Sequence, residues 1–436
     1  MTGSTAAALA CSISLIVWAM TMRALTGTWL NPGAFFALFW CFAGILPMIL
    51  APQEPVSMLA IAWLLASGIA VSVGAVIGNW GFKTRRLANP APSTDRELVA
   101  FGTVCLVAVI LGAGSNVAFI AGTPGISFSD VLDIQKLVLV SNQAYFSRYL
   151  ESGAPASPPF SQALLPFVYL APAVGGVVFQ LRREIRWKLL GAISFLPAVA
   201  VTILQTTKAA FLFALILWLS SYFAMRLRQG KLGVFTRAHI LTALGAGAVV
   251  VVFFFGVGLA RLATTDVTMA NIVYAKFVTG AFGHMTVFSQ WLSEYISAPF
   301  GPSLGKVTFA GPLEMLGFSQ RIPGLFENLV ELVTGDVSNI YTGFRPLIQD
   351  FTIPGALTIL VLLGVVGGVG FRLVAAGKWS ASPLLMISYV TIFWTPITWF
   401  WIYNSLTATV VALGIIVWLV RIWRGSSERV LAQGMT

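Results

Sequence analysis

Hydrophobic positions in this chain fall in long unbroken runs, not in alternation and not in the narrow stripe of a surface helix. Eleven runs of roughly 20 residues recur, at 5–22, 33–51, 57–79, 98–121, 161–180, 189–206, 208–224, 238–260, 351–373, 382–400 and 403–420. At about 1.5 Å per residue, a helix of that length crosses a hydrocarbon core of about 30 Å. A membrane β-barrel would instead need strands of about ten residues with alternating apolar positions, and no such alternation is present. The pattern predicts an all-α, polytopic membrane bundle forming a single domain over 1–436.

Two of the connections are long. Residues 122–160 and 261–350 lie between runs, and segments of that length in a compact protein are usually functional. Within the second, "PGLFENLVELVTG" places Leu325, Phe326, Leu329, Val330, Leu332 and Val333 at helical spacing opposite Glu327, Asn328 and Glu331, which predicts a short amphipathic helix ending at Gly335. A second helical stretch, 272–295, mixes aromatics with Lys276, His284 and Glu294. Both are expected to lie along the outer leaflet as a cap. No internal repeat is visible, so the inverted-repeat signature of many secondary transporters is missing.

Composition agrees. The chain has 436 residues, 58% of them hydrophobic and 9% charged, with a mean hydropathy of +0.88, which leaves too little polar surface for an ordinary soluble domain. Its net charge of +11 is unevenly placed. Basic clusters at Lys83/Arg85/Arg86, Arg182/Arg183/Arg186/Lys188, Arg226/Arg228/Lys231, Arg372/Lys378 and Arg421/Arg424 occupy every second loop, and that side carries 18 basic and 4 acidic residues against 8 and 11 on the other. Basic residues are retained on the cytoplasmic side, so the expected orientation has the N-terminus outside and the C-terminus cytoplasmic. The basicity is thus a topology signal and not a nucleic-acid footprint. "ALAC" at 8–11 is read as part of the first span, because no basic leader precedes it. Cys11, Cys41 and Cys105 fall inside spans, which implies neither disulfides nor a zinc site.

On the outer face the cations are Lys136, Arg148, Lys208, Arg261, Lys276, Lys306, Arg321 and Arg345. Ionisable groups near the membrane cost roughly 2.5–3.5 kcal/mol each on insertion scales, so those that persist invite a reason. Lys208 opens a span, where helix N–H groups and a lysine together favour an anion; Arg261 closes one and Arg345 precedes another. Lys208, Arg261 and Arg345 are candidates to grip a phosphate or pyrophosphate. Acids available as a general base are Glu294, Glu314, Glu327, Glu331, Asp336 and Asp350, together with His284. Asp350 could equally cap the following helix or pair with Arg345. Trp291, Tyr295, Tyr341 and Phe344 are candidates to stack on sugars. No HExxH, GxSxG, GK[ST] phosphate loop or DxD pair occurs, so no metal or other cofactor is implied.

The stretch "NIYTGFRPLIQDFTIPG", 339–355, resembles the segment after the large periplasmic loop of bacterial O-antigen polymerases: Asn-x-Tyr-Thr, a short gap, then Asp-Phe-Gly before a span. Asn339, Tyr341, Thr342, Asp350 and Phe351 match, and Thr352 stands where that family usually has glycine. Weaker likenesses are "LNPGAFFALFW" at 30–40 and "TTKAAFLFALILW" at 206–218, the latter with Lys208 where the family more often has arginine. The resemblance implies a GT-C-type integral-membrane glycosyltransferase that uses no nucleotide sugar. Such enzymes join undecaprenyl-pyrophosphate-linked repeat units at the periplasmic face of the inner membrane, beside a flippase and a chain-length regulator. It further implies that Lys208, Arg261, Arg345 and Arg148 hold the pyrophosphate, that Asn339, Tyr341 and Thr342 belong to the substrate site, and that Asp350, Glu294 or His284 is the base. A ligase that hands the glycan to lipid A core shares the architecture, and a lipid-linked oligosaccharide flippase would also be polytopic.

Overall fold

A computed structural model describes residues 3–51, 53–80, 94–123, 126–133, 135–140, 142, 158–205, 207–233, 237–261, 269–319, 326, 329–333, 335 and 337–433. The protein is all-helical apart from one two-stranded ladder. Each of the eleven apolar runs contains a helix, and eight helices among the described residues are long and apolar enough to cross a membrane: Leu9–Thr26, Met58–Gly78, Asp95–Gly122, Pro159–Leu181, Ile185–Leu204, Lys208–Arg228, Phe344–Ala375 and Asn404–Trp423. The 33–51 and 238–260 runs lie on the helices Pro32–Leu50 and Arg237–Arg261, and the 382–400 run is α-helical only over Ser382–Trp394. Helix starts follow local chemistry: Asn31 accepts from the Gly33 N–H ahead of Pro32, and Thr94 and Glu97 form a capping box.

The chain forms two compact units. The first comprises Met1–Ala91, Arg226–Val234 and Ala275–Thr407; the second comprises Pro92–Met225, Phe235–Tyr274 and Ala408–Thr436. In the first, Met58–Gly78 packs along Phe344–Ala375 through glycines on both sides. Gly74 and Gly78 face the backbone of Val361 and Val365, while Gly364 and Gly368 face that of Val71 and Ala75; a methyl group at any of the four would come closer than 3.0 Å to the opposing main chain. Each helix thus carries a Gly-xxx-Gly pair, the arrangement that lets backbones in lipid approach closely enough for dispersion to hold them. In the second unit Asp95–Gly122 packs against Pro159–Leu181, where Gly112 lies close to Val168 and Pro197.

Loops of the same sequence parity meet. In the first unit Thr28 bonds to the Leu232 carbonyl at 3.2 Å, Arg372 bonds to that of Trp80 at 3.4 Å, and Arg228 lies 4.7 Å from the Trp379 ring. All six residues belong to loops or helix ends predicted on the basic side. Glu54 accepts from the Val333 N–H at 3.2 Å and Ser289 from that of Ser57 at 2.6 Å, joining segments predicted on the other. In the second unit the basic-side residues Arg182 and Asp95 form an ion pair. The alternation of basic loops is therefore reflected in which loops touch.

One expectation for the long segment is corrected and another gains detail. The amphipathic helix predicted over 323–335 is absent at its described residues: Val330–Glu331 pairs antiparallel with Val337–Ser338, Val330 opposite Ser338. Val330 and Leu332 are buried whereas Glu331 and Val333 are exposed, so a period of two prevails over the apparent period of 3.6. β-Branched Val330, Val333 and Val337 favour the extended form, and Gly335 supplies the positive φ of 80° that the reversal needs. The 272–295 stretch is two helices, Ala270–Phe282 and His284–Ser297, broken at Gly283. The second is two-faced, with Gln290, Ser293 and Glu294 exposed along one side. Its Met285, Val287, Phe288, Trp291, Leu292 and Tyr295 belong to the core of the first unit.

Gly364→Ala should lower the thermal unfolding midpoint of detergent-solubilised protein, with a stability loss of about 1–3 kcal/mol from overpacking. Gly414→Ala, whose new methyl meets nothing within 4 Å, should leave the midpoint unchanged or slightly raised.

Candidate functional site

The resemblance segment builds one feature of the first unit, a buried arginine in an aromatic cage. Arg345 is the second residue of the helix Phe344–Ala375 and is only 8% exposed. Its guanidinium carbon lies 3.8 Å from the ring centre of Tyr341, 4.0 Å from Phe326 and 5.3 Å from Trp291. Phe326 and Tyr341 meet edge to face at 5.3 Å, and Tyr295 stacks on Trp291 at 5.4 Å. Two guanidinium nitrogens, Nε and Nη1, are buried without a hydrogen-bond partner. Glu294, one turn beyond Trp291 and exposed, is the acid whose charge acts on the guanidinium.

The neighbouring residues hold this cage. Asn339 donates from Nδ2 to the Phe326 carbonyl at 3.3 Å and so fixes one wall. Tyr341 is another wall. Thr342 Oγ1 accepts from the Phe344 N–H at 3.3 Å, and the Gly343 N–H donates to the Thr395 carbonyl at 2.6 Å. A Cβ on Gly343 would sit 2.9 Å from the Thr398 carbonyl oxygen, so only glycine lets the helix start dock there. Polar residues crowd this greasy region because each has a backbone group or a ring to position.

Asp350 has a different task. It is wholly buried, and its carboxylate accepts from Ser303 Oγ, from the Val307 N–H at 3.1 Å and from the Thr308 N–H at 2.5 Å. Its own carbonyl accepts from the Leu304 N–H at 3.1 Å, and Thr308 Oγ1 donates to the Pro346 carbonyl at 3.1 Å. The acid therefore clamps residues 303–308 against the helix. It does not pair with Arg345, and its carboxylate, taken up by Ser303, Val307 and Thr308, accepts from no N–H of the helix that resumes after the break at Thr352.

Backbone strain gathers around the same place. Among the described residues, three non-glycine residues have positive φ: Leu304 at 52°, Thr342 at 66° and Thr352 at 62°. Thr342 and Thr352 bracket the short helical segment that carries Arg345 and Asp350, and Leu304 lies in the clamped loop. Thr352, with ψ 178°, occupies a region that glycine enters freely and a β-branched residue enters at a cost of order 1–3 kcal/mol. It breaks the helix where the sequence comparison set threonine against glycine.

The remaining predicted residues lie elsewhere. His284 is buried; its Nδ1 faces the Ala281 carbonyl at 3.1 Å and its ring meets Trp40 edge-on at 6.2 Å. Burial pushes its pKa down to about 4, so the imidazole is neutral at neutral pH. Among the described residues, no hydrogen bond or ion pair joins Arg345 to His284 or Asp350. Lys208 starts the helix Lys208–Arg228 and its Nζ is 6.0 Å from the Phe254 ring centre. Arg261 ends the helix Arg237–Arg261. Both belong to the second unit and Arg345 to the first. Arg148, Arg321, Glu327 and Asp336 lie outside the described residues. Lys136 pairs with Asp130 at 3.2 Å. Trp291, Tyr295, Tyr341 and Phe344 are buried and form no open sugar platform; Phe344 stacks on Trp40 in the core at 5.0 Å. Ser303 and Thr308 had drawn no notice in the sequence, since nothing local marks them, and Phe326 stood out only as an apolar position of the amphipathic stretch. Among the described residues no cluster of His, Cys, Asp and Glu could hold a metal.

No protein family, curated protein or solved structure matches the chain.

Asp350→Ala would strand the buried Thr308 N–H, at about 1–3 kcal/mol, and the half-buried Val307 N–H and Ser303 hydroxyl, at less; unfolding measurements should show a loss of about 2–4 kcal/mol, and protease should cut faster at Lys306. For His284, the lowered pKa in the folded state means that the unfolded chain binds the proton first. Stability is then full above about pH 6.5 and falls as pH drops toward 4. His284→Phe should flatten that slope in denaturation measured across this window.

Proposed function

We propose that the protein is a glycosyltransferase of the O-antigen polymerase kind, joining undecaprenyl-pyrophosphate-linked oligosaccharide units at the outer membrane face. The observation that carries this reading is the Arg345 guanidinium, buried with two unsatisfied nitrogens in a protein with eight candidate membrane spans. Arginine is the side chain that binds a phosphate oxygen pair with fixed geometry, and a partner for a buried cation is worth more than one in water. A diphosphate leaving group supplies that partner. The face on which Arg345 lies is the one that the basic-loop rule assigns to the outside.

In the reaction an acceptor hydroxyl of one unit attacks the anomeric carbon of another. The bond between that carbon and the phosphate oxygen breaks, and the lipid diphosphate departs with the bonding pair. Arg345 neutralises the charge that grows on the diphosphate, and stabilising a developing charge with a preorganised donor is the largest contribution open to such a site. Of the candidate bases, Asp350 is consumed by three donors and His284 is enclosed beside Trp40. Glu294 is exposed, lies one turn from the Arg345 cage, and takes the hydroxyl proton. Lys208 and Arg261 remain candidate diphosphate cations within the second compact unit, and Arg148 lies outside the described residues.

The test is a bilayer-reconstituted preparation supplied with one synthetic polyprenyl-diphosphate-linked oligosaccharide and read as a ladder of products. The wild type should extend the oligosaccharide without nucleotide sugar. Arg345→Gln should cut kcat/KM by about 10- to 100-fold, the equivalent of one charge-assisted contact of about 1.5–3 kcal/mol, while retaining a cooperative unfolding transition. Glu294→Gln should lower kcat more than it changes KM. A wild type that builds no ladder, or an Arg345→Gln protein that builds a normal one, refutes the reading.

A further inference from the structure

Residues 315–318, Met-Leu-Gly-Phe, form a turn whose apolar side chains stand open: Met315 is 50% exposed, Leu316 69% and Phe318 77%. The turn is well formed. It closes the short helix Ala310–Met315 with a Phe318 N–H bond to the Leu313 carbonyl at 2.8 Å and a Gly317 N–H bond to that of Glu314 at 3.0 Å. Gly317 supplies the required φ of 76°, as in a Schellman closure. Residues 315–319 carry no charge. Three such side chains held in water forgo about 1.5–3 kcal/mol of burial each.

The position of the turn says what covers it. Gly311 rests directly on the backbone of Trp401, Tyr403 and Asn404, so that a Cβ there would fall 2.6–2.8 Å from those atoms. Asn404 is the first residue of the membrane-spanning stretch Asn404–Trp423. Met315 lies four residues further along the helix, about 6 Å, so the exposed turn is held beside the end of a membrane span. Its other flank runs into the loop clamped by Asp350, where Phe309 meets Phe351 of the long helix at 6.4 Å. The apolar turn thus sits between the end of that span and the Asp350-clamped loop.

We infer that Met315, Leu316 and Phe318 insert into the outer lipid monolayer and pin the Asp350-clamped loop at headgroup depth. The occupant is the membrane itself, in the manner of an interfacial segment that buries its apolar side about 5–10 Å below the headgroups. The Arg345 segment, clamped to that loop, is thereby kept at the level where a lipid diphosphate travels. The inference concerns depth in the membrane and stands apart from which group is transferred.

The test places an environment-sensitive fluorophore at Phe318→Cys in the full chain, reconstituted in bilayer discs of phosphatidylethanolamine and phosphatidylglycerol; Cys11, Cys41 and Cys105 are buried, and the unsubstituted protein reports any background labelling. Spin-labelled lipid carrying its label just below the headgroup should quench the probe about twofold or more, and aqueous iodide should leave it nearly untouched. The same probe in a Leu316→Asp background should become accessible to iodide. Quenching of the Phe318→Cys probe by iodide and not by lipid overturns the inference. Protection from both quenchers also overturns it, because another protein surface would then cover the turn.

Discussion

The first unit depends on two helices that touch backbone to backbone. Gly74 and Gly78 on one, and Gly364 and Gly368 on the other, leave no room for a single methyl group between Met58–Gly78 and Phe344–Ala375. In lipid the hydrophobic effect does not drive helices together, so close packing must do so. The crossing fixes the upper part of the long helix, and everything at its N-terminal end is placed relative to that fixed rod: the break at Thr352, the clamp at Asp350 and the cage around Arg345. A strained threonine between rod and cage persists because the surroundings hold it on both sides.

The cage itself is an unfinished arrangement. Burying a cation costs several kcal/mol after relaxation, and contacts with Tyr341, Phe326 and Trp291 return about 0.5–2 kcal/mol each. Hydrogen bonds normally complete such a site, and here two nitrogens of Arg345 have none. Asp350, only five residues away, is fully committed to the 303–308 loop. The carboxylate and the guanidinium of one short segment therefore do not pair: the first is spent on the 303–308 loop, and the second keeps two nitrogens without a partner.

The large features were legible in the sequence for a simple reason: a run of apolar residues long enough to cross a membrane has few alternatives to being a helix. The alternation of basic loops likewise anticipated which loops touch, as at Thr28 with Leu232 and Arg372 with Trp80. The stretch 338–351 stood out by its polarity, and Asn339, Tyr341 and Thr342 lie around the Arg345 cage, where they position walls and backbone. Short elements were harder. Val330 to Val333 fits periods of two and 3.6 almost equally over so few residues, and pairing with Val337–Ser338 decides the matter. The partners of Asp350 and Arg345 were invisible because they lie 42–47 residues away for the clamp and as far as Trp291 for the cage. No spacing rule spans such separations, and the glycines that position the long helix look in sequence like ordinary membrane-helix glycines.

In the function proposed above, the role of Arg345 is to hold a lipid diphosphate. Its most direct test is the equilibrium affinity of the purified, bilayer-embedded protein for a polyprenyl diphosphate carrying no sugar, compared with that of Arg345→Gln and with a polyprenyl alcohol of the same length. The account predicts tight binding that needs the diphosphate and weakens by about tenfold or more when the guanidinium is removed. Equal affinity of the two proteins, or equal affinity for the alcohol and the diphosphate, would contradict it.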